Sequence, residues 1–154
     1  MPQLVKGGKY IFGWTKVRSN GEIRIPDEAF LEYRFNKDKI GILMSGSKRS
    51  GGFGLTSRRL LSETPIGKML ESLPELFRFE LREAETITIK KRKFCWININ
   101  KDRFVNIPKS TLKEYDVLKN KKLLVGRGSG IALGFIAKGP IYDEAKNHIQ
   151  IPIY

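Results

Sequence analysis

The residues of this chain whose types and spacing could do chemistry are lysines and arginines gathered around short turns. Lys16, Arg18 and Arg24 flank the stretch "SNGE", and Lys101 and Arg103 flank or enter "NKDR". Lys48 and Arg49 lie in "SGSKRSGG", Lys90, Lys91 and Arg92 in "KKRK", and Arg127 in "GRGSG". Cationic side chains on short turns neutralise phosphates, and a long arginine can reach a base edge. A solvated charged surface accounts equally well for any one such cluster. Taken together, the set predicts nucleic-acid binding, with duplex DNA preferred and RNA as the alternative partner.

Other chemistry is thinly supplied. Cys95 and His148 form the one conceivable nucleophile and base pair, but Cys95 lies in an apolar β-like run and His148 has no orienting partner. Asp27 and Glu28 have the positions of acids in a first helical turn rather than of paired catalytic carboxylates. "GRGSG" invites a phosphate-loop reading, yet no Gly-Lys-Ser or Gly-Lys-Thr follows and no βαβ unit surrounds it. Phe12, Trp14, Phe94 and Trp96 could stack on unpaired bases, but their recurrence at equal spacing favours two equivalent core plugs. The expectation is a non-enzymatic protein with no cofactor and no metal.

Composition sets the frame for these clusters. Lys plus Arg number 29 against 16 Asp plus Glu, a net charge of +13. There are 13 basic and 8 acidic residues up to Phe77, and 16 and 8 beyond it, so the excess runs through both halves. A basic globular domain usually meets a polyanion. One Cys and one His provide neither a disulfide framework nor the usual zinc site. No apolar run approaches the length of a membrane span, and the first residues, MPQLVKGGKYIFGW, lack the pattern of a signal peptide. A cytoplasmic protein without a membrane partner is expected, with homo-oligomerisation open.

Two stretches echo each other: "GEIRIPDEAFLEY" from Gly21 and "RFVNIPKSTLKEY" from Arg103, offset by 82 residues. Without a gap, that offset matches Lys9, Phe12, Trp14, Ile25, Pro26, Glu32, Tyr33, Lys37, Lys39, Gly46, Ser47, Gly52 and Phe53 to identical residues. These are 13 identities in 45 positions, where chance gives roughly 3. Each copy reads as strand, hairpin turn, strand ending at Pro, short helix, strand, glycine-rich loop and strand. Between the copies, Leu60, Leu61, Ile66, Met69, Leu70, Leu73, Leu76 and Phe77 predict one or two amphipathic helices broken at Pro65 and Pro74. The predicted organisation is a first repeat over 1–56, a helical linker over 57–86, a second repeat over 87–139 and a tail over 140–154 with a short helix and an extended end.

At "SNGEIRIPDEAFLEYRFNKDKIGI" the sequence resembles the AbrB/MazE/SpoVT family of swapped-hairpin barrels. Their hallmark is an Asp-x-x-Gly-Arg-hydrophobic-x-Ile-Pro strand, then a helix, a Lys-Gly-Asp-like turn and a further strand. Gly21, Ile23, Ile25, Pro26 and Asn36 to Lys39 carry the match, with Asp102, Val105, Ile107, Pro108, Asn120 and Lys121 in the second copy. Two copies in one chain look like the tandem arrangement of MraZ. The resemblance implies a mainly β (α+β) fold in which two repeats interlock as one pseudo-twofold barrel, acting as a DNA-binding transcriptional regulator. Glu22 and Phe104 stand where the family has its arginine, and Arg103 stands where it has glycine. A double-psi barrel is a structural alternative. In function, an RNA-binding or ribosome-associated protein, or an antitoxin-like or oligomeric interaction module, remains open.

Overall fold

The computed structural model describes residues 10–118 and 121–154; Lys9, Lys119, Asn120 and the Phe77 side chain lie outside them. The protein is mainly β, with short helices. The first strands are β1 (Ile11–Lys16), β2 (Glu22–Arg24), β3 (Ile40–Ser45) and β4 (Phe53–Thr56), with helix α1 (Asp27–Glu32) between β2 and β3. Helices α2 (Arg58–Leu61), α3 (Pro65–Glu71) and α4 (Pro74–Phe77) follow. Then come β5 (Ile87–Ile89), β6 (Arg92–Asn98), β7 (Phe104–Asn106), α5 (Lys109–Glu114), β8 (Lys122–Ser129), β9 (Ala132–Ile136) and α6 (Pro140–Ala145).

Among the described residues, seven strands form one antiparallel sheet in the order β1-β8-β9-β4-β3-β6-β5, and β2 pairs with β7 in a separate ribbon. Hydrogen-bonded neighbours are therefore drawn from distant parts of the chain. The registers recur at the 82-residue offset. Trp14 faces Leu124 as Ile42 faces Trp96, and Lys16 faces Lys122 as Ile40 faces Asn98. Ile23 faces Val105, and Phe53 faces Phe135.

Local chemistry explains the turns. The Asn20 side chain accepts from the Glu22 amide at 3.0 Å, and Gly21 takes φ 84°. A Cβ at Gly21 would lie 2.3 Å from the Ile107 carbonyl oxygen, so only glycine fits. The second hairpin repeats the device: Asn100 accepts from the Asp102 amide at 2.8 Å, and Arg103 holds φ 72°. An arginine there stores backbone strain. The two turns also bond across each other, Ile107 N–H to Gly21 O at 2.9 Å and Ile25 N–H to Arg103 O at 2.8 Å.

The main core lies between the sheet and the β2–β7 ribbon and includes Phe12, Ile23, Phe35, Leu43, Phe53, Ile97, Val105, Tyr115, Val125 and Phe135. Two further clusters cover the outer face of the sheet. One packs Ile11, Trp14, Leu124 and Ile136 under α6; the other packs Ile42, Met44 and Phe94 under Leu61, Leu70 and Leu76 of α2, α3 and α4.

Several sequence expectations change. The linker holds three short helices, because Pro65 and Pro74 each start a new one, with Ser57 and Thr64 capping α2 and α3. Strand β5, an element that the repeat pattern did not include, pairs with β6. "GRGSG" is largely the end of β8 rather than a loop. The register of β1 shifts between Ile11 and Gly13. That bulge turns Phe12 inward while Ile11 and Trp14 face outward, whereas Phe94 and Trp96 of unbulged β6 both face outward. Phe12 and Phe94, matched by the offset, thus occupy different environments.

Thr15 is buried in β1, and its Oγ1 has no hydrogen-bond partner among the described residues. A buried orphan hydroxyl costs stability, and valine is nearly its shape without that cost. Thr15→Val is expected to stabilise the protein by about 1 kcal/mol, read from the denaturant midpoint at unchanged slope; a lower midpoint would mean that the hydroxyl has a partner.

Candidate nucleic-acid interface

The sheet gives the basic residues two addresses. β1, β3, β6 and β8 all have one end beside the β2–β7 ribbon and the other beside the loops leaving β3 and β8. Lys16, Arg18, Arg24, Lys101 and Arg103 flank the ribbon, Lys16 and Arg18 leading from β1 into β2, Arg24 in β2 itself, and Lys101 and Arg103 leading from β6 into β7. Lys48 and Arg49 in the β3–β4 loop, Lys90 and Lys91 at the β5–β6 turn, Arg92 at the start of β6, and Arg127 late in β8 lie at the far end. The seven residues of β6 separate the two addresses by about 20 Å.

At the ribbon end, alternation along β2 and β7 sends Ile23 and Val105 into the core and leaves Glu22, Arg24, Phe104 and Asn106 on the outer side. Asp27, in the first turn of α1, binds Arg24 at 3.2 Å and Arg103 at 3.0 Å. Hydrogen bonding from Arg103, then from Arg24, holds the Asp27 carboxyl below its usual value despite partial desolvation. The Arg103 guanidinium also lies over the Phe30 ring, 5.4 Å from its centroid. Both arginines are thus oriented rather than loose. Lys16 is exposed, and Arg18 approaches Glu22 only at 3.9 Å. Lys101 sits in the second hairpin turn beside Lys39, lining one groove with Asn98, Asn100, Phe104 and Asn106.

Two cations that the sequence reading passed over complete this end. Lys122 faces Lys16 across the β1–β8 pair, and the Lys121 carbonyl accepts from the Val17 amide at 2.9 Å. The Lys39 and Lys121 identity at the 82-residue offset was the signal for one of them and for its counterpart in the other hairpin. The two hairpins place their cations differently: at that offset Lys16, Arg18 and Arg24 are answered by Asn98, Asn100 and Asn106, and Lys101 and Arg103 by Ser19 and Gly21.

The far-end residues differ in availability. Arg127 is engaged: it donates to both Glu32 carboxylate oxygens at 2.7 and 2.5 Å and lies over Tyr10, 4.6 Å from the ring centroid. Hydrogen bonding to Glu32 raises its already high affinity for its proton. Lys48, Arg49, Lys90, Lys91 and Arg92 are exposed.

The aromatic side chains are largely withdrawn from solvent. Phe12, Phe94 and Trp14 are buried. Half-buried Trp96 donates from its ring nitrogen to the Leu81 carbonyl at 2.7 Å. Stacking of unpaired bases on any of them would require neighbouring segments to move.

Cys95 is buried on the inner face of β6, where the Tyr115 hydroxyl meets its sulfur at 3.4 Å. Burial pushes the thiol up to about 11. The folded state therefore favours the protonated thiol: its stabilising contribution is complete below about pH 8.5 and is lost as pH rises through 11. A water-soluble disulfide reagent at pH 8 is expected to leave native Cys95 unlabelled while labelling the unfolded chain within seconds; equal rates would show the thiol to be accessible. His148 contacts Glu144 and Gln150 in the tail, on an element separate from Cys95. Among the described residues there is no group of three or more His, Cys, Asp or Glu that could hold a metal ion, and no helix long and apolar enough to cross a membrane.

No protein-family model matches the chain, and no curated protein matches it significantly.

Proposed function

We propose that the chain is a nucleic-acid-binding protein, a DNA-binding transcriptional regulator built as a tandem AbrB-like swapped-hairpin barrel. The observation that carries the proposal is the placement of Lys16, Arg18, Arg24, Lys101 and Arg103 within or next to the two short strands of the β2–β7 ribbon. The duplicated, interlocked architecture is supported by the strand pairs that recur at 82 residues, β1 with β8 as β3 with β6, and by the crossed bonds between the two hairpin turns. Each repeat supplies the neighbours that the other needs, so neither half buries a sufficient core alone.

The duplex meets the ribbon end, with Lys16, Arg18 and Lys101 on phosphates. Arg24 and Arg103, held by Asp27, have the rigidity that base-edge contacts demand. The pseudo-twofold axis favours inverted-repeat sites. No catalytic step, cofactor or metal is required, and the protein acts in the cytoplasm.

Competition among duplex DNA, structured RNA and single strands for the stripped protein tests the proposal. Duplex DNA is expected to bind best. Preference for structured RNA would assign the same surface to RNA, and indifference to all three, together with tight self-association, would leave an interaction module.

A further inference from the structure

Three neighbouring strands carry glycine at one level of the sheet's outer face: Gly126 faces Gly134, and Gly134 faces Gly54. On one side of this row the face is covered by α2, α3 and α4, and on the other by α6. The bare backbone of Gly54 and Gly134 floors a cleft of about 290 Å³, walled by Met44 and Ile66 on one side and Ile136 on the other. That volume is at the lower end for small-ligand sites.

Gly54 is not demanded by the fold. An added Cβ would meet Ala132 Cβ at 3.5 Å and Met44 Cε at 3.9 Å, ordinary contacts, and its backbone is outside the left-handed region. Glycine inside a strand weakens it, and where packing does not require it, close approach of a ligand is the standard reason. The rim supplies the polarity. Exposed Arg92 lines the cleft, no carboxylate does, and its guanidinium has no ion-pair partner among the described residues. Ser50 and Ser129 also line it, and each oxygen accepts a bond, from Ser47 Oγ at 3.1 Å and from the Ile131 amide at 3.3 Å, which leaves the hydroxyl hydrogens available. Gly46-Ser47 and Gly128-Ser129, identical pairs at the 82-residue offset, meet at this rim.

We propose that this cleft binds a small ligand that combines a flat ring with a phosphate, a nucleoside monophosphate being the simplest. The ring lies on the bare backbone of Gly54 and Gly134, and the phosphate meets Arg92 and the Ser50 hydroxyl, with Ser129 on the far wall of the cleft. A charge-assisted guanidinium bond with a neutral donor suits a phosphate, and a side-chain-free floor suits a planar group. The site lies at the opposite end of the strands from the ribbon and does not depend on nucleic-acid binding there.

Titration of the ¹⁵N-labelled protein with AMP, GMP, CMP and UMP, with adenosine and with inorganic phosphate tests it. At least one monophosphate is expected to saturate with a Kd at or below about 1 mM, moving the Gly54, Gly134 and Ser129 amides, while adenosine and phosphate bind about tenfold more weakly or not at all. Arg92→Ala and Gly54→Ala should each weaken the monophosphate about tenfold at an unchanged unfolding midpoint, and charge removal at the ribbon end should leave it unaltered. Failure of every monophosphate to saturate, phosphate binding as tightly as the nucleotide, or indifference to both variants would overturn the proposal.

Discussion

Lys16→Ala, Arg18→Ala, Lys101→Ala and Arg103→Gly, combined in one protein, are expected to lower duplex affinity by about two orders of magnitude near 0.15 M salt. They should also flatten the dependence of log K on log salt by about three, since Lys16, Arg18 and Lys101 are placed on phosphates and each such contact contributes about 0.9 to the slope. Glycine is the replacement of choice at 103, because φ there is 72° and glycine adopts it without strain. Folding should survive: Lys16 and Lys101 are exposed, and the Arg18 side chain makes only long contacts, to Glu22 at 3.9 Å and to the Lys16 carbonyl at 3.5 Å. Asp27→Asn tests the same surface in the opposite direction. It leaves Arg24 and Arg103 uncompensated and should tighten binding and steepen the salt slope. Equal affinity of the quadruple variant and the parent, measured by fluorescence anisotropy, would remove the ribbon end from the interface.

Gly52→Ala is expected to be the most disruptive methyl added at any described glycine, costing on the order of 3 kcal/mol or more. Gly52 has φ 67°, and a Cβ there would lie 2.0 Å from the Phe135 carbonyl oxygen, a backbone atom that cannot swing aside. Its amide donates to the Tyr115 carbonyl at 3.0 Å and its carbonyl accepts from Gly46 at 3.1 Å, so the shift spreads to both loops. Next to it Phe53 stacks on Phe135 at 4.8 Å and meets Tyr115 at 5.8 Å, where the strands of the two halves join. Thermal unfolding should report a large drop for Gly52→Ala and almost none for Gly54→Ala, whose methyl has room. Similar losses for both would show that the close approach at Gly52 does not set the cost.

The parts of this architecture that rest on local chemistry were legible in the chain. Asn20-Gly21, Pro26 and Pro108 mark the turn and the helix starts where they occur, and the strands around Ile23, Ile42 and Trp96 follow their apolar residues. Register and pairing partner were not legible, because nothing in the run Ile11–Lys16 says that its neighbour is Lys122–Ser129. The bulge before Gly13 hid the facing of Phe12, since one inserted residue reverses every later side chain. At the candidate site, charge clusters gave the membership but not the division between two ends, which depends on strand direction. Arg127 looked available in the sequence because its partner Glu32 is 95 residues away. The row of glycines beneath the cleft was invisible for the same reason: Gly54, Gly126 and Gly134 meet only after three strands are aligned.

The most direct test of the central claim is the affinity of the protein, freed of copurifying nucleic acid, for a mixed-sequence DNA duplex across a salt series from about 50 to 300 mM. The ribbon interface predicts a linear fall of log K with log salt, with a slope near −3 for the three cations placed on phosphates. Absence of binding at the lowest salt, or an affinity that ignores salt, would contradict it and leave the charge of +13 without a nucleic-acid role.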